Sequence, residues 1–363
     1  MRAGTERIYE ELRREMESCC RVDSIVPTEL ELCRRFGVGR TAVRTALSRL
    51  ERDGLIRSRG FHGARLVSFP SRKMGKVYVI EQDDERFLQS EEALGVLAGI
   101  SKAIIQCGGE IVPVFSDWDG TLRRICKNYS PDECSGVVFI EYNWHWPDEL
   151  AKHGVPHIVA NNETALGVAS TSVDFRMVGR MACREFLCRG YRRCAMVGNA
   201  SDYILSELSA GMRGGLAEER IEMRDDFVVP YDYYSTEPSA EAETRRRLVE
   251  LLSSGDRPDS FLVFRYQRYN LLMDVIGEAG LRVPEDIGVI VYDALSTRYK
   301  EYARICLLQE PVEELGREAA GMLEKWDEIV DSLPVRRLID PVFIERETLR
   351  KHEKVRFVFG RRQ

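Results

Sequence analysis

Apolar residues recur along this chain with two different periods, and the change from one to the other divides it. Over the first seventy residues the period is helical. Ile8, Leu12 and Met16 stand four apart, which predicts a helix over residues 6–16 with an otherwise charged surface. After a break at residues 22–27, Thr28 is a good N-cap and Glu31, three positions on, completes a capping box for a second helix. Leu30, Cys33 and Phe36 supply its buried stripe, and Gly37-Val38-Gly39 stops it. A third helix is predicted over residues 40–53, ending at Gly54, with Val43, Ala46, Leu47 and Leu50 at i, i+3, i+4 and i+7 as the apolar stripe. Two short strands, 55–59 and 64–68, then flank a glycine-containing hairpin tip at residues 60–63.

Beyond a short polar linker the pattern alternates. Apolar strands are predicted at 76–81, 110–115, 136–140, 156–160, 169–174, 193–197, 226–229, 260–264, 287–292 and 304–308. Helices fall at 91–106, 175–188, 203–219, 241–253, 270–279 and, as one long element, 311–331. Such alternation implies parallel strands covered by helices on both faces. About ten strands over this length fit two sheets better than one. The domain reading is therefore residues 1–69 as a small helical domain with a hairpin, 70–75 as linker, and 76–363 as a larger α/β domain.

Charge changes the picture of partners. The 363-residue chain carries −6, which taken alone argues against a nucleic-acid binder. Residues 1–72, however, hold 15 Arg and no Lys against 10 acids, a net +5, while the remainder holds 38 basic and 49 acidic residues, a net −11. A basic head on an acidic body suits a small DNA-reading module on a sensor. The third predicted helix shows where reading would occur. Thr41, Arg44, Thr45, Ser48 and Arg52 gather opposite the apolar stripe, with Arg40 at the N-terminal edge. Arginine can pair bidentately with guanine or hold phosphate, and threonine can touch a thymine methyl or a phosphate. An ordinary solvated helix face carries the same residues, but this one follows a short helix and a tight turn and precedes a basic hairpin, the order of a winged helix-turn-helix.

Other chemistry is thin. The chain has no run long and apolar enough for a membrane span, and its charged start is no signal peptide, so a cytoplasmic protein is expected. Ten scattered cysteines include no CxxC, which reads as reduced, mostly buried thiols rather than a disulfide framework or zinc site. No GxGxxG follows the first strand, and GxxxxGK[ST], HExxH and GxSxG are lacking. His153 and His157 are four apart, but Gly154 and Pro156 between them preclude a helical metal pair, and they read as surface groups. Asp83-Asp84-Glu85 reads as a solvated acidic loop. No enzyme activity, cofactor or metal is expected.

Ligands of parallel sheets bind beyond the carboxyl ends of the strands. The segments at those positions carry aromatic groups beside hydrogen-bonding ones: Phe87, Asn143 and Trp144, Asn161, Arg265 and Tyr266, and Asp293. Such mixtures suit sugar rings, which stack on aromatic faces and bond through hydroxyls.

Two resemblances sharpen this. VPTELELCRRFGVGRTAVRTALSRLERDGLIRSRGFHGARLV resembles the DNA-binding domain of the GntR family nearly end to end. The resemblance implies DNA contacts by Arg40, Thr41 and Arg44, with the His62-Gly63 wing tip, and Thr45 and Ser48 share that face. One departure is Leu30, where the family usually has an arginine, which implies a changed operator preference. VPHIVANN, STSVDFRMVGRMACREFLCRGYRRCAMVGN, GEAGLRVPEDIGVIVYDA and EPVEELGREAAGML resemble the LacI/GalR sensor. That resemblance implies a two-lobed, doubly wound periplasmic-binding-protein-like domain, and the combination resembles the arabinose-repressor architecture. It further implies a homodimer on a palindromic operator in double-stranded DNA, a repressor controlled by a small-molecule effector, a sugar or sugar derivative. Asp293 and Asn161 keep the family's ligand-site chemistry. Leu208 stands where the ligand-gripping arginine is usual, and Arg265-Tyr266 replaces the usual Asn-Asp pair, so Arg265 could equally suit an acid group. The alternative is a DNA-binding regulator with a vestigial pocket, governed by a protein partner or by oligomerisation.

Overall fold

Local signals in the head act as the spacing predicts. The Thr28 backbone N–H donates to Glu31 Oε2 at 2.7 Å and the Glu31 N–H to Thr28 Oγ1 at 3.4 Å, closing the capping box. Gly37, at φ 66°, ends the same helix in the left-handed conformation that only glycine adopts without strain. A computed structural model describes residues 2–19, 26–53, 55–58, 64–66, 74–81, 90–140, 146–161, 167–199, 202–231, 238–294 and 303–351. The chain divides into two compact units, Met1–Met74 and Gly75–Gln363.

The first unit contains α1 (Arg2–Cys19), α2 (Glu29–Phe36), α3 (Arg40–Arg52) and an antiparallel pair, β1 (Ile56–Ser58) with β2 (Ala64–Leu66). Its core gathers Ile8 and Leu12 of α1, Leu32 of α2 and Val43, Ala46 and Leu50 of α3. The expected stripe of α2 needs one correction. Leu32 is fully buried and Cys33 and Phe36 pack against the core, but Leu30 is 47% exposed. Residues two apart on a helix point roughly 200° apart, so the face that buries Leu32 with Cys33 and Phe36 turns Leu30 outward. The hairpin tip with His62 and Gly63 lies outside the described residues.

The second unit holds two six-stranded sheets. The first lobe contains β3 (Lys76–Ile80), β4 (Glu110–Val114), β5 (Cys134–Ile140), β6 (His157–Ala160), β7 (Ser170–Val173) and β13 (Arg336–Ile339), all parallel, in the order β13-β7-β6-β5-β3-β4. Its helices include α4 (Glu91–Gln106), α5 (Trp118–Asn128) and α6 (Trp146–Lys152). The second lobe contains β8 (Cys194–Asn199), β9 (Val228–Tyr231), β10 (Ser260–Phe264), β11 (Gly288–Asp293), β12 (Cys306–Gln309) and β14 (Val342–Ile344), in the order β14-β12-β11-β10-β8-β9. Only the edge strand β14 runs antiparallel there. The helices of this half are α7 (Phe175–Leu187), α8 (Asp202–Glu218), α9 (Pro238–Ser253) and α10 (Tyr266–Glu278). The chain returns through α11 (Val312–Glu324) to pack on α4 of the first lobe.

This crossing fixes the site. A Cβ on Gly99 of α4 would run into the Glu313 carbonyl of α11, and one on Gly316 of α11 into the Val96 carbonyl of α4. The two helices therefore touch backbone to backbone, and residues just before each are held at one depth. The expected helix over 311–331 is interrupted: α11 ends at Glu324, Lys325 caps it, and a short α12 (Trp326–Ile329) follows. His157 is another correction. It is 3% exposed in β6, its Nδ1 lies 2.8 Å from the Val155 carbonyl, and its ring packs on Trp326. The thiols are less buried than expected: Cys134, Cys183, Cys194 and Cys306 are buried, Cys33, Cys107 and Cys126 half-buried, and Cys188 exposed.

Candidate functional site

The first candidate surface is the outer face of α3. Val43, Ala46 and Leu50 are fully buried, which locks the helix's rotation about its axis. Arg40, Thr41, Arg44, Thr45 and Ser48 are all exposed on the other side. The Thr45 hydroxyl donates to the Thr41 carbonyl at 2.8 Å, the usual resting bond of a helical threonine. Arg44 Nε donates to both carboxylate oxygens of Glu29 at 2.9 Å, and the side chain remains 63% exposed. That hydrogen bond, with the attraction of Glu29, raises the Arg44 pKa above its ordinary value. The first turn of α2 thus orients an arginine of α3. Leu30 follows Glu29 directly, and its exposure puts an apolar side chain on that turn.

The second candidate lies between the lobes of the second unit, at the carboxyl ends of both sheets. Arg265, just past β10, is its centre. Its side chain is only 10% exposed, and its backbone sits at φ 72°, a left-handed conformation that costs a non-glycine residue about 1–3 kcal/mol. Three carboxylates surround the guanidinium. Glu92 Oε2 of α4 is 3.2 Å from Nη2, Glu310 Oε2 is 3.3 Å from Nη1, and Asp293 Oδ1 is 3.5 Å from Nη1. The partners are held in turn. Asn161, just past β6 at φ 55°, donates from Nδ2 to Glu92 Oε1 at 2.6 Å. Asp293 accepts the backbone N–H of Tyr266 at 2.7 Å and of Ala294 at 2.8 Å, and the Tyr292 hydroxyl donates to Glu310 at 3.0 Å. Phe264 and Tyr292 stack at 5.4 Å beneath, with the guanidinium carbon 5.2 and 5.9 Å from their centroids, a cation–π arrangement.

The electrostatics follow from burial. Loss of water opposes charge on Arg265, yet Glu92, Glu310 and Asp293 hold its pKa well above the ordinary value. Burial pushes the Glu92 carboxyl up, but the attraction of Arg265 and the hydrogen bond donated by Asn161 help outweigh it and leave it lowered. For Asp293 burial wins and the pKa stays raised, against the pull of Arg265 and the two amide N–H groups.

Of the residues singled out in the sequence, the structure brings Asn161, Arg265 and Asp293 into one cluster. Tyr266 joins through its backbone, while its ring stacks on Tyr269 at 5.7 Å. Phe87, Asn143 and Trp144 lie outside the described residues. Leu208 is wholly buried in the second lobe's core, where its carbonyl would meet a Cβ on Gly179. Sequence reasoning missed Glu92, Glu310 and Tyr292. The strand-end rule could have found Glu310, which directly follows β12; Glu92 lies one residue inside a helix and carries no such signal. Among the described residues no cluster of His, Cys, Asp and Glu has the arrangement of a metal site, and no helix is long and apolar enough to cross a membrane.

Comparisons with known proteins bear on both candidates. Residues 5–66 match the family described as bacterial regulatory proteins, gntR family, and residues 183–349 match the periplasmic binding protein-like domain. The fold and these matches define the class: a transcription regulator with a GntR-type helix-turn-helix domain at its N terminus followed by a periplasmic-binding-protein-like domain. Among relatives, the HTH-type transcriptional regulator CelR of Thermobifida fusca is 22% identical over 278 residues, covering 74% of this chain and 79% of its own. The arabinose metabolism transcriptional repressor of Geobacillus stearothermophilus is 21% identical over 320 residues, covering 83% and 84%. The solved structure of a CelR–cellobiose complex superposes with a TM-score of 0.56 at 21% identity, covering 89% of this chain and all of that one. A LacI family regulator from Enterococcus faecium with bound ribose has a TM-score of 0.53 at 17% identity, covering 76% and 98%.

Proposed function

We infer that this protein is a cytoplasmic, homodimeric repressor that reads a two-fold DNA operator through α3 and is controlled by a small molecule, a sugar or sugar derivative, in the interlobe cleft. The observation that carries this reading is the exposed Arg40, Thr41, Arg44, Thr45, Ser48 face on a helix whose opposite face buries Val43, Ala46 and Leu50, with Leu47 partly buried beside them, a rigid platform for base and phosphate contacts. Paired heads match two half-sites a helical turn apart, which is why a dimer is part of the proposal. Leu30 stands where an arginine is usual in the family, so one guanine or phosphate contact is replaced by an apolar one. The sugar class is supported by relatives whose structures hold cellobiose and ribose. Arg40→Ala with Arg44→Ala, measured by fluorescence anisotropy on operator duplex, tests the reading; wild-type affinity in that variant overturns it. A monomer by light scattering removes the dimer scheme. One observation favours the second reading, a regulator with a vestigial pocket: Arg265 is already enclosed by the protein's own carboxylates.

A further inference from the structure

Arg265 belongs to the second lobe, yet its guanidinium divides its partners between lobes. Nη1 faces Glu310 and Asp293 of its own half, while Nη2 faces Glu92 on α4 of the other. Each receiving carboxylate is prepositioned: Glu92 by Asn161, Asp293 by two backbone amides, Glu310 by Tyr292. Buried acceptors fixed by supporting hydrogen bonds are the construction of a binding site, and its occupant is a side chain of the same protein. The positive φ at Arg265 persists because these contacts over-determine it.

We propose that Arg265 is an internal ligand of the interlobe cleft, a latch that holds the two lobes together in place of a diffusible molecule. The proposal rests on the reading of that cleft as the regulatory site and specifies what can compete there. A molecule displacing the guanidinium must offer donors to Glu92, Asp293 and Glu310 and bring no negative charge, because a fourth carboxylate would stand against three in a dry pocket. Hydroxyl-rich neutral compounds and amines satisfy this condition. Sugar acids do not, and Arg265 is no grip for an acid group.

The test uses the full chain without effector. Arg265→Ala is followed by thermal unfolding and by small-angle scattering, with about 10 mM guanidinium chloride compared against equal potassium chloride, since a ligand that binds the folded state stabilises it by mass action. The variant is expected to melt several degrees lower and to scatter as a more expanded second unit. Guanidinium, but not potassium, is expected to restore a large part of both changes. That rescue is expected to vanish when Glu92→Gln is added. A variant with wild-type melting and scattering overturns the latch, as does absence of rescue or an equal response of the wild type to guanidinium. Should Arg265→Ala fail to fold, Glu92→Gln alone decides: it changes only the partner across the cleft, expansion supports the latch, and an unchanged profile overturns it. A wild type that ignores every sugar sinks the effector reading and leaves this one standing.

Discussion

Two arginines in this protein meet carboxylates in nearly the same chemical way and to different ends. Arg44 lies 2.9 Å from both oxygens of Glu29 with its side chain 63% exposed; Arg265 meets three carboxylates at 3.2–3.5 Å with 10% exposed. In water the first pair is screened and contributes little to stability, so a phosphate or a guanine edge can take over the guanidinium at small cost. The second is shielded from solvent, and removing one partner strands the others' charge in a medium that cannot solvate it. Burial, more than pairing, separates an exchangeable contact from a structural one. The head keeps its arginine available, and the cleft holds its arginine in place.

The largest effect that could break this comparison is on stability. Arg265→Ala is expected to destabilise the second unit by about 3–5 kcal/mol, whereas Arg44→Ala should leave the thermal transition unmoved; both are read by calorimetry. Equal shifts would show that burial is not the deciding variable. Next comes DNA. Arg40→Ala with Arg44→Ala is expected to weaken operator binding by about a hundredfold and to flatten the salt dependence by about one unit for each phosphate that is no longer neutralised, measured by anisotropy across a potassium chloride series.

Asp293→Ala sharpens the contrast from the cleft side. It should abolish effector-induced thermal stabilisation, which in the wild type would be about 2.7 kcal/mol at a hundred times the Kd, while operator affinity of the free protein stays near normal. An unchanged ligand response would remove Asp293 from the site. Thr28→Ala, at the N-cap of α2, is expected to cost the head about 1 kcal/mol and to loosen the turn that carries Glu29, seen as a lower melting temperature of the first unit.

The smallest effect should come from pH. Burial depresses the His157 pKa, against the bond to the Val155 carbonyl and the attraction of Asp148. A base depressed in the folded state contributes stability that is present above its ordinary value of 6.5 and lost as pH falls through the depressed one. Denaturant midpoints should therefore drop modestly from pH 7 to pH 5, and His157→Gln should flatten that drop.

Legibility in the sequence followed the range of the interactions. The capping box at Thr28 and Glu31, the stop at Gly37 and the two faces of α3 depend on residues within one or two turns, and all were readable. Helix α4 matches its expected bounds, as does β10. Short or irregular elements escaped. Helix α5 follows Asp117 at φ 47° and contains Gly120, while β13 reads Arg-Arg-Leu-Ile with no inward run. The helix carries an apolar stripe at Trp118, Leu122, Ile125 and Cys126 that was there to be read, whereas the strand has no periodicity that stands out from a loop.

Sequence alone determined most of the longer helices and strands, that a basic head precedes an acidic body, and which side chains of α3 face outward, because these follow from periods of two and 3.6 and from charge. The tertiary structure decided the rest. Leu30 and Leu32 are equally apolar, and only packing against α1 and α3 buries one and exposes the other. Asn161 and Glu92, 69 residues apart, meet only because the fold brings the end of β6 beside the start of α4. Arg265, legible as a loop arginine beyond a strand, became a buried latch through three carboxylates that no local pattern connects to it. The charge a residue carries is set by its own chemistry, whereas the strength of that charge is set by the solvent its neighbours exclude, and those neighbours arrive from across the fold.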